Sequence, residues 1–249
     1  MKISVVINTY NAEQHLDKVL ESVKSFDEVV ICDMHSTDRT IEIAQKYGCR
    51  IVYHAKEKYV EPARNFAIQQ AQYDWILVVD ADEVIPAALK EYLYNQLDKK
   101  DCPAGIFIPR KNYFMGRFMR IAYPDYNLRF VKKDATFWPP YIHSHPIIEG
   151  KIIKIPAKYV GLAMEHLAND RIEQILTKNN VYSSAEVVRR ANQKVSIGHI
   201  IVSPFFRFIK LYFFKGGFRD GMPGFLFSIY KAQYKFDTLA KMAESQYRN

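Results

Sequence analysis

Cysteine is scarce in this chain: three of 249 residues, Cys32, Cys49 and Cys102, odd in number and widely spaced. No CxxC pair and no Cys/His ligand spacing occurs, so neither a disulfide framework nor a structural zinc site is expected, and a reducing compartment fits. Two glycine patterns are also missing. No GxGxxG follows the first apolar run and no GxxxxGK[ST] occurs anywhere, so the dinucleotide and P-loop readings fail at their defining residues. Uninterrupted apolar runs of membrane-spanning length are missing as well. MKISVVINTY turns polar at Asn8, too early for a signal-peptide core, and SPFFRFIKLYFFKGGF is broken by Arg207, Lys210 and Lys215. A cytoplasmic protein is therefore expected.

At 249 residues and 49% hydrophobic, the chain can bury one large core, or one core with an appendage. Its formal charge of +8 is unevenly placed: 13 Lys/Arg stand against 5 Asp/Glu after residue 170, and 22 against 22 before it. All of the excess lies in the C-terminal third, so the two regions are expected to meet different partners.

The first hundred residues alternate between two kinds of segment. ISVVI (Ile3–Ile7) precedes Leu16, Val19, Leu20 and Val23 at helical spacing; EVVIC (Glu28–Cys32) precedes Ile41, Ala44 and Tyr47. RIVY (Arg50–Tyr53) precedes Ala63, Phe66, Ala67, Gln70 and Ala71, and Trp75–Val79 leads to a helix near Pro86 carrying Leu89, Leu93 and Leu97. Apolar strands separated by amphipathic helices imply an α/β fold with a largely parallel open sheet, covered on both faces.

Such sheets bind ligands at the carboxyl ends of their strands. The polar residues there are Asn8, Thr9, Tyr10 and Asn11; then Asp33, His35, Ser36, Thr37 and Asp38; then Asp80, Asp82 and Glu83 of DADE. If the backbone stays extended, Asp80 and Asp82 share a side, and a hard divalent cation, Mg²⁺ or Mn²⁺, would relieve their repulsion and take diphosphate oxygens. The competing reading makes these acids caps for the helix near Pro86. Asp38 has its own structural reading, as a helix N-cap.

VVINTYN, EVVICDMHSTDRT, ARNFAIQQA and DWILVVDADE occur in an order and spacing that resembles family 2 glycosyltransferases, inverting enzymes with the GT-A (Rossmann-like) nucleotide-sugar fold. YPDYNLRF (Tyr123–Phe130) and GGFRDGMPGF (Gly216–Phe225) resemble the branch that extends bacterial lipopolysaccharide cores. The resemblance implies that Thr9, Tyr10, Asn11, Asp33, Arg64, Asp80 and Ala81 bind the nucleotide sugar, with Thr9 and Asp33 at the base and ribose of a uridine-type donor. It further implies a divalent metal at Asp82, completed by His166. Two positions depart from the family pattern: Met34 stands where a second acid is frequent, and His35 where glycine is common.

An inverting transfer also needs a base for the acceptor hydroxyl. The candidates are Asp125, in YPDYNLRF, and His143, in PPYIHSHP, where relatives commonly show His-Glu and this chain has His143-Ser144. His145 is more readily read as structural, and Arg129 as either a phosphate or acceptor contact or a structural ion pair.

After residue 170 the chain reads as a mainly helical, basic amphipathic extension of a catalytic domain spanning 1–170. Phe225, Ile229, Ala232, Phe236 and Leu239 form one stripe; Ser228, Lys231, Lys235 and Thr238 form another. Such helices suit the anionic inner face of the cytoplasmic membrane, although the stripe also fits ordinary packing on the catalytic domain. Nucleic acid is not an expected partner, since no recognition motif accompanies the bases. The expected function is transfer of a sugar from a UDP-type donor to a surface-glycan or lipid-linked acceptor. A nucleotidyltransferase and a non-catalytic nucleotide or carbohydrate-binding module are the alternatives.

Overall fold

The computed structural model describes residues 1–57, 60–139, 145–167, 172–190 and 193–248. The chain divides into two compact units, one of residues 1–111 and 124–167, the other of residues 112–123 and 168–249.

In the first unit, β1 (Ile3–Thr9), β2 (Glu28–Asp33), β3 (Arg50–Tyr53) and β4 (Trp75–Asp80) alternate with α1 (Glu13–Val23), α2 (Thr40–Lys46), α3 (Glu61–Gln70) and α4 (Ala87–Leu97). β1 lies between β2 and β4, and β3 flanks β2, all parallel. The helices dock where their sequence periods place the apolar stripe. α1 buries Leu16, Val19, Leu20 and Val23, and α4 buries Leu89, Leu93 and Leu97, with Pro86 extended at its N-cap.

Beyond α4 the sheet changes character. β6 (Gly105–Phe114) and β8 (Asp125–Lys132) are antiparallel to each other, and β8 runs antiparallel to β4. The two-residue β5 (Glu83–Val84) pairs antiparallel with β12 (Met164–His166), and β11 (Ile152–Lys154) adds to β6. A separate ribbon joins β9 (Thr136–Phe137) to β10 (Ile147–Ile148). The expected parallel sheet is thus half of a mixed one. The alternation that implies parallel crossovers stops at α4, and without a crossover helix β6 and β8 pair antiparallel. Trp75 stacks on Phe130 across the join, with ring centroids 5.3 Å apart, inside the main core.

The second unit holds β7 (Arg117–Phe118), which pairs with the end of β6, and the helices α5 (Ile172–Arg189), α6 (Ile197–Ile209) and α7 (Gly221–Arg248). A one-turn π segment, Lys210–Phe214, continues α6. Its core gathers Phe114, Met119, Ile121 and Leu211, with Phe227 and Tyr230 against them. The Ile121 N–H donates to the Asp220 carboxylate at 2.9 Å.

The two stripes read on α7 are distributed differently from a simple apolar-in pattern. Ser228 and Thr238 are buried, with hydroxyls donating to the carbonyls of Gly224 and Tyr234, whereas Phe225, Ile229 and Phe236 are exposed. Small residues let α7 approach the preceding turn: a Cβ on Gly224 would lie 2.0 Å from the Gly217 carbonyl oxygen. Gly224→Ala is therefore expected to destabilise this unit by about 3 kcal/mol or more, because backbone rather than a flexible side chain must give way. Urea unfolding followed by circular dichroism checks this; an unchanged midpoint would refute the close contact.

Candidate active site

The carboxyl ends of β1 and β2 are tied together by one carboxylate. Thr9 and Asp33 are register partners, both buried, and the Thr9 hydroxyl donates to Asp33 Oδ1 at 2.8 Å. Ser36 donates to the same carboxylate from its N–H, at 2.8 Å, and from its hydroxyl, at 2.6 Å. This return requires His35 in the left-handed region, at φ 60°, which explains why glycine suits that position. The His35 ring then stacks on Tyr53 at 5.6 Å. Thr9 and Asp33 are thus bonded to each other beneath the loops.

Tyr10 and Asn11 lie above that pair. Tyr10 is exposed and its hydroxyl accepts from Lys56 Nζ at 2.6 Å, while Asn11 accepts from the Thr37 N–H at 2.8 Å and itself has φ 47°. Asp38 performs a capping task for two helices, one residue before the N-cap of α2. Its carboxylate accepts from the Thr40 N–H at 3.0 Å and from the Glu13 N–H, at the start of α1, at 3.0 Å.

DADE has an internal division of labour. Asp80, at the end of β4, accepts from Arg64 Nη2 at 2.9 Å and from Arg129 Nη2. Burial pushes the Asp80 carboxyl up, and the charges of Arg129 and Arg64 more than reverse this, holding it far below the usual carboxylate range. Ala81 and Asp82 make the turn, and Glu83 follows with no exposed surface. Glu83 Oε1 accepts from Arg129 Nη2 at 2.8 Å and Arg110 Nη1 at 2.9 Å, and Oε2 accepts from the Asp80 N–H at 3.1 Å. Arg110 in turn donates to Asp125, from Nη2 at 2.6 Å and Nε at 2.9 Å. A chain of alternating charge results: Arg64, Asp80, Arg129, Glu83, Arg110, Asp125.

This chain gives Arg129 the ion-pair role among its two readings and commits Asp80 to guanidinium groups. Arg64 also lies 4.6 Å from the centre of the Trp138 ring. The Nε atoms of Arg64 and Arg129 are buried with no hydrogen-bond partner among the described residues. Removing Glu83 would leave two guanidinium groups short of a partner in a buried setting. Glu83→Gln is expected to cost about 3 kcal/mol, the lower end for breaking a buried pair, since Asp80 and Asp125 remain. Urea midpoints test this against Glu91→Gln, an exposed helical control expected to change stability by less than about 0.5 kcal/mol.

Asp82 faces a different partner. Its Oδ2 lies 3.5 Å from His166 Nε2, because β5 and β12 pair with His166 opposite Glu83. An oxygen and an imidazole nitrogen converging at this distance fit a divalent ion whose remaining ligands come from water and diphosphate. Among the described residues no group of three or more His, Cys, Asp and Glu side chains is placed to hold a metal ion together, so the protein's share would be these two. His143 lies outside the described residues, and His145 is exposed.

Glu83, Arg110 and Arg129 are the site residues whose connections the sequence reading did not assign. A signal for them exists: Arg129 stands between Leu128 and Phe130, and Glu83 precedes Val84 and Ile85, so charged side chains interrupt apolar strands and must be paired. The pairing itself is invisible until β6 and β8 are brought beside β4.

A four-strand parallel block extended by antiparallel strands is the GT-A arrangement, and solved glycosyltransferase structures share this fold. The mannosyltransferase PcManGT from Pyrobaculum calidifontis, in complex with GDP-Man and Mn²⁺, matches with a TM-score of 0.60 over 97% of this chain and 87% of its own, at 13% identity. Glucosyl-3-phosphoglycerate synthase from Mycobacterium tuberculosis, in complex with Mn²⁺, UDP and phosphoglyceric acid, matches with a TM-score of 0.50 over 74% and 77% of the two chains, at 16% identity. The chain belongs to glycosyl transferase family 2, whose profile matches residues 4–153, and it is a glycosyltransferase. Similar in sequence is the lipopolysaccharide core biosynthesis glycosyltransferase LpsC of Rhizobium meliloti (strain 1021), 29% identical over 265 aligned residues that cover 97% of this chain and 92% of that protein.

Proposed function

We propose that this enzyme is an inverting, metal-dependent transferase that moves a sugar from a UDP-linked donor to a hydroxyl of a cell-surface glycan or lipid-linked acceptor of the lipopolysaccharide-core type. The observation that carries the proposal is the approach of Asp82 and His166 at the end of β4, beside the charge chain that ends on Asp125. The part of LpsC in lipopolysaccharide core biosynthesis supports the acceptor class, and the UDP and Mn²⁺ bound in glucosyl-3-phosphoglycerate synthase support the donor and the ion.

In this reading Asp82 and His166 hold a Mg²⁺ or Mn²⁺ ion, which would neutralise charge on the departing diphosphate. Arg64, whose Nε is buried without a partner among the described residues, lies near the diphosphate. Asp80 fixes the Arg64 and Arg129 guanidinium groups, so its role is to orient cations. Thr9 and Asp33 shape the base and ribose site from below, Tyr10 and Asn11 line it, and Ala81 keeps the turn small beside the sugar. Asp125, held by Arg110, takes the proton of the acceptor hydroxyl, with His143 as the rival for that step. Residues 171–249 bring the catalytic domain of residues 1–170 to the cytoplasmic face of the membrane, where a lipid-linked acceptor is presented.

Thermal-shift measurements with a panel of nucleotide sugars, with and without Mn²⁺, test the donor assignment, because a ligand selective for the folded state raises the melting temperature by mass action. Stabilisation by UDP and UDP-sugars only with metal is expected; selective stabilisation by a different nucleotide would overturn it.

A further inference from the structure

The second unit carries an apolar surface that its own packing leaves uncovered. α6 and the π segment that follows it form an 18-residue stretch, Ile197–Phe214, of mean hydropathy 1.3, and only 6% of it is buried. Ile201 and Phe205 share one side at helical spacing, Val202 and Phe206 lie beside them, and exposure reaches 66% at Ile201, 61% at Phe205, 63% at Phe206 and 84% at Phe214. Phe213 and Phe218 are each at least half exposed. A phenylalanine offers roughly 150–250 Å² for burial, so these four phenylalanines of the stretch alone leave on the order of 400 Å² of apolar surface in water. Soluble monomers rarely expose contiguous patches above a few hundred Å².

Cations are interleaved with this surface. Arg207, Lys210, Lys215 and Arg219 are exposed and form no ion pair with any described residue. Nearby, Lys235 is held below the usual lysine range by burial and by the Arg190 and Arg207 charges, with Glu186 the one carboxylate opposing them. An occupant of this surface must therefore offer both an apolar layer and anionic groups at its edge.

We infer that the α6 to Phe214 segment seats in the plane of an anionic bilayer, with Phe205, Phe206, Phe213 and Phe214 in the acyl region and Arg207, Lys210, Lys215 and Arg219 at lipid phosphates. This rests on the membrane reading above and specifies it: hydrophobic insertion of α6, and not charge on α7 alone, makes the attachment. A spanning helix is disfavoured on two counts. The stretch is long enough to cross by length alone, but it carries Arg207 and Lys210 in its second half, where a spanning helix would bury them in hydrocarbon. It also packs along α7, whose Lys231, Lys235, Asp237, Lys241 and Glu244 cannot enter hydrocarbon with it. Long cationic side chains beside the aromatics reach outward to the headgroups, which suits an interfacial helix.

The test uses the full chain and vesicles of phosphatidylcholine with about 30% phosphatidylglycerol, whose negative surface potential attracts basic segments. One further tryptophan at a time is added by Phe206→Trp and Phe214→Trp, both at exposed positions, and the change in emission relative to the unsubstituted protein, which already carries Trp75 and Trp138, is read with lipids brominated at shallow or deep acyl positions. The expected result is a blue shift and stronger quenching by shallow bromines for both variants. Phe205→Asp with Phe206→Asp should lower vesicle partition at least roughly tenfold in high salt, while UDP-induced thermal stabilisation stays intact. Co-sedimentation that salt reverses completely, with no quenching, would overturn insertion and leave the membrane reading standing. No co-sedimentation would overturn both. Deep quenching of Phe206→Trp beyond that of Phe214→Trp would establish a spanning helix, and a lipid-free dimer broken by the Asp variants would assign the surface to a second copy; either overturns the in-plane seat.

Discussion

Asp125→Asn is expected to lower turnover by roughly 10²–10⁴-fold, the range for a lost general base, while UDP affinity survives. The substitution keeps the size of the side chain and its capacity to accept from Arg110, which now donates to Asp125 at 2.6 and 2.9 Å. What disappears is the negative charge that draws the acceptor's proton. Asp125 is suited to the task by its place at the first position of β8, where a strand anchors the backbone while the carboxylate stays partly exposed at 37%. Arg110 fixes that carboxylate through a contact whose other end is the buried Glu83, so the geometry is set before any acceptor arrives. Asn removes the charge and leaves Arg110 paired with Glu83, so the folded state should persist. Steady-state kinetics with the thermal stability of the variant measured alongside decide it. Near-normal turnover in Asp125→Asn, together with an inactive but folded His143→Ala, would give the proton-accepting role to His143.

Asp82→Ala is expected to erase the metal dependence of UDP binding, leaving an affinity that is equal with Mn²⁺ and with a chelator. The reason is local. Asp80 is committed to Arg64 and Arg129, and Glu83 to Arg110 and Arg129, so neither neighbour is disposed to replace Asp82. His166 would remain as a single nitrogen ligand, too little to hold a hard ion against water. The fold should be unaffected, since Asp82 lies in the turn between β4 and β5 and its backbone carbonyl, which accepts from the Leu167 N–H at 2.8 Å, is retained. Isothermal titration with UDP, with and without Mn²⁺, measures the difference. Persistence of a Mn²⁺-dependent gain in Asp82→Ala would move the ion elsewhere.

Much of the first unit was legible because periodicity is a local property. The strands at Ile3, Glu28, Arg50 and Trp75 and the buried faces of α1 and α4 follow from residues that are near one another in sequence. The antiparallel half was not legible, since pairing of β6 with β8 and β8 with β4 depends on contacts between distant segments. The same distinction runs through the site. The location of DADE at a strand end was readable, but the partners of its acids were not: extended spacing says which side a carboxylate takes, and says nothing of the arginines on β6, β8 and α3 that meet Asp80 and Glu83. His35 shows the reverse case, where a residue that looks foreign to its motif adopts the left-handed backbone that glycine would supply. On α7 a helical wheel ranks residues by polarity, and the close packing at Gly217 and Gly224 favours small side chains, so Ser228 is buried and Phe225 is not.

The release of nucleoside diphosphate by the intact chain tests the central claim most directly. The protein is incubated with UDP-, GDP- and CMP-linked sugars in Mn²⁺, with and without a lipopolysaccharide-core acceptor, and the released nucleotide is quantified. UDP freed from one UDP-sugar, accelerated by the acceptor and stopped by a chelator, is the expected result. Release confined to GDP or CMP donors, or UDP release that a chelator leaves unchanged, would contradict a UDP-sugar transferase whose metal rests on Asp82 and His166.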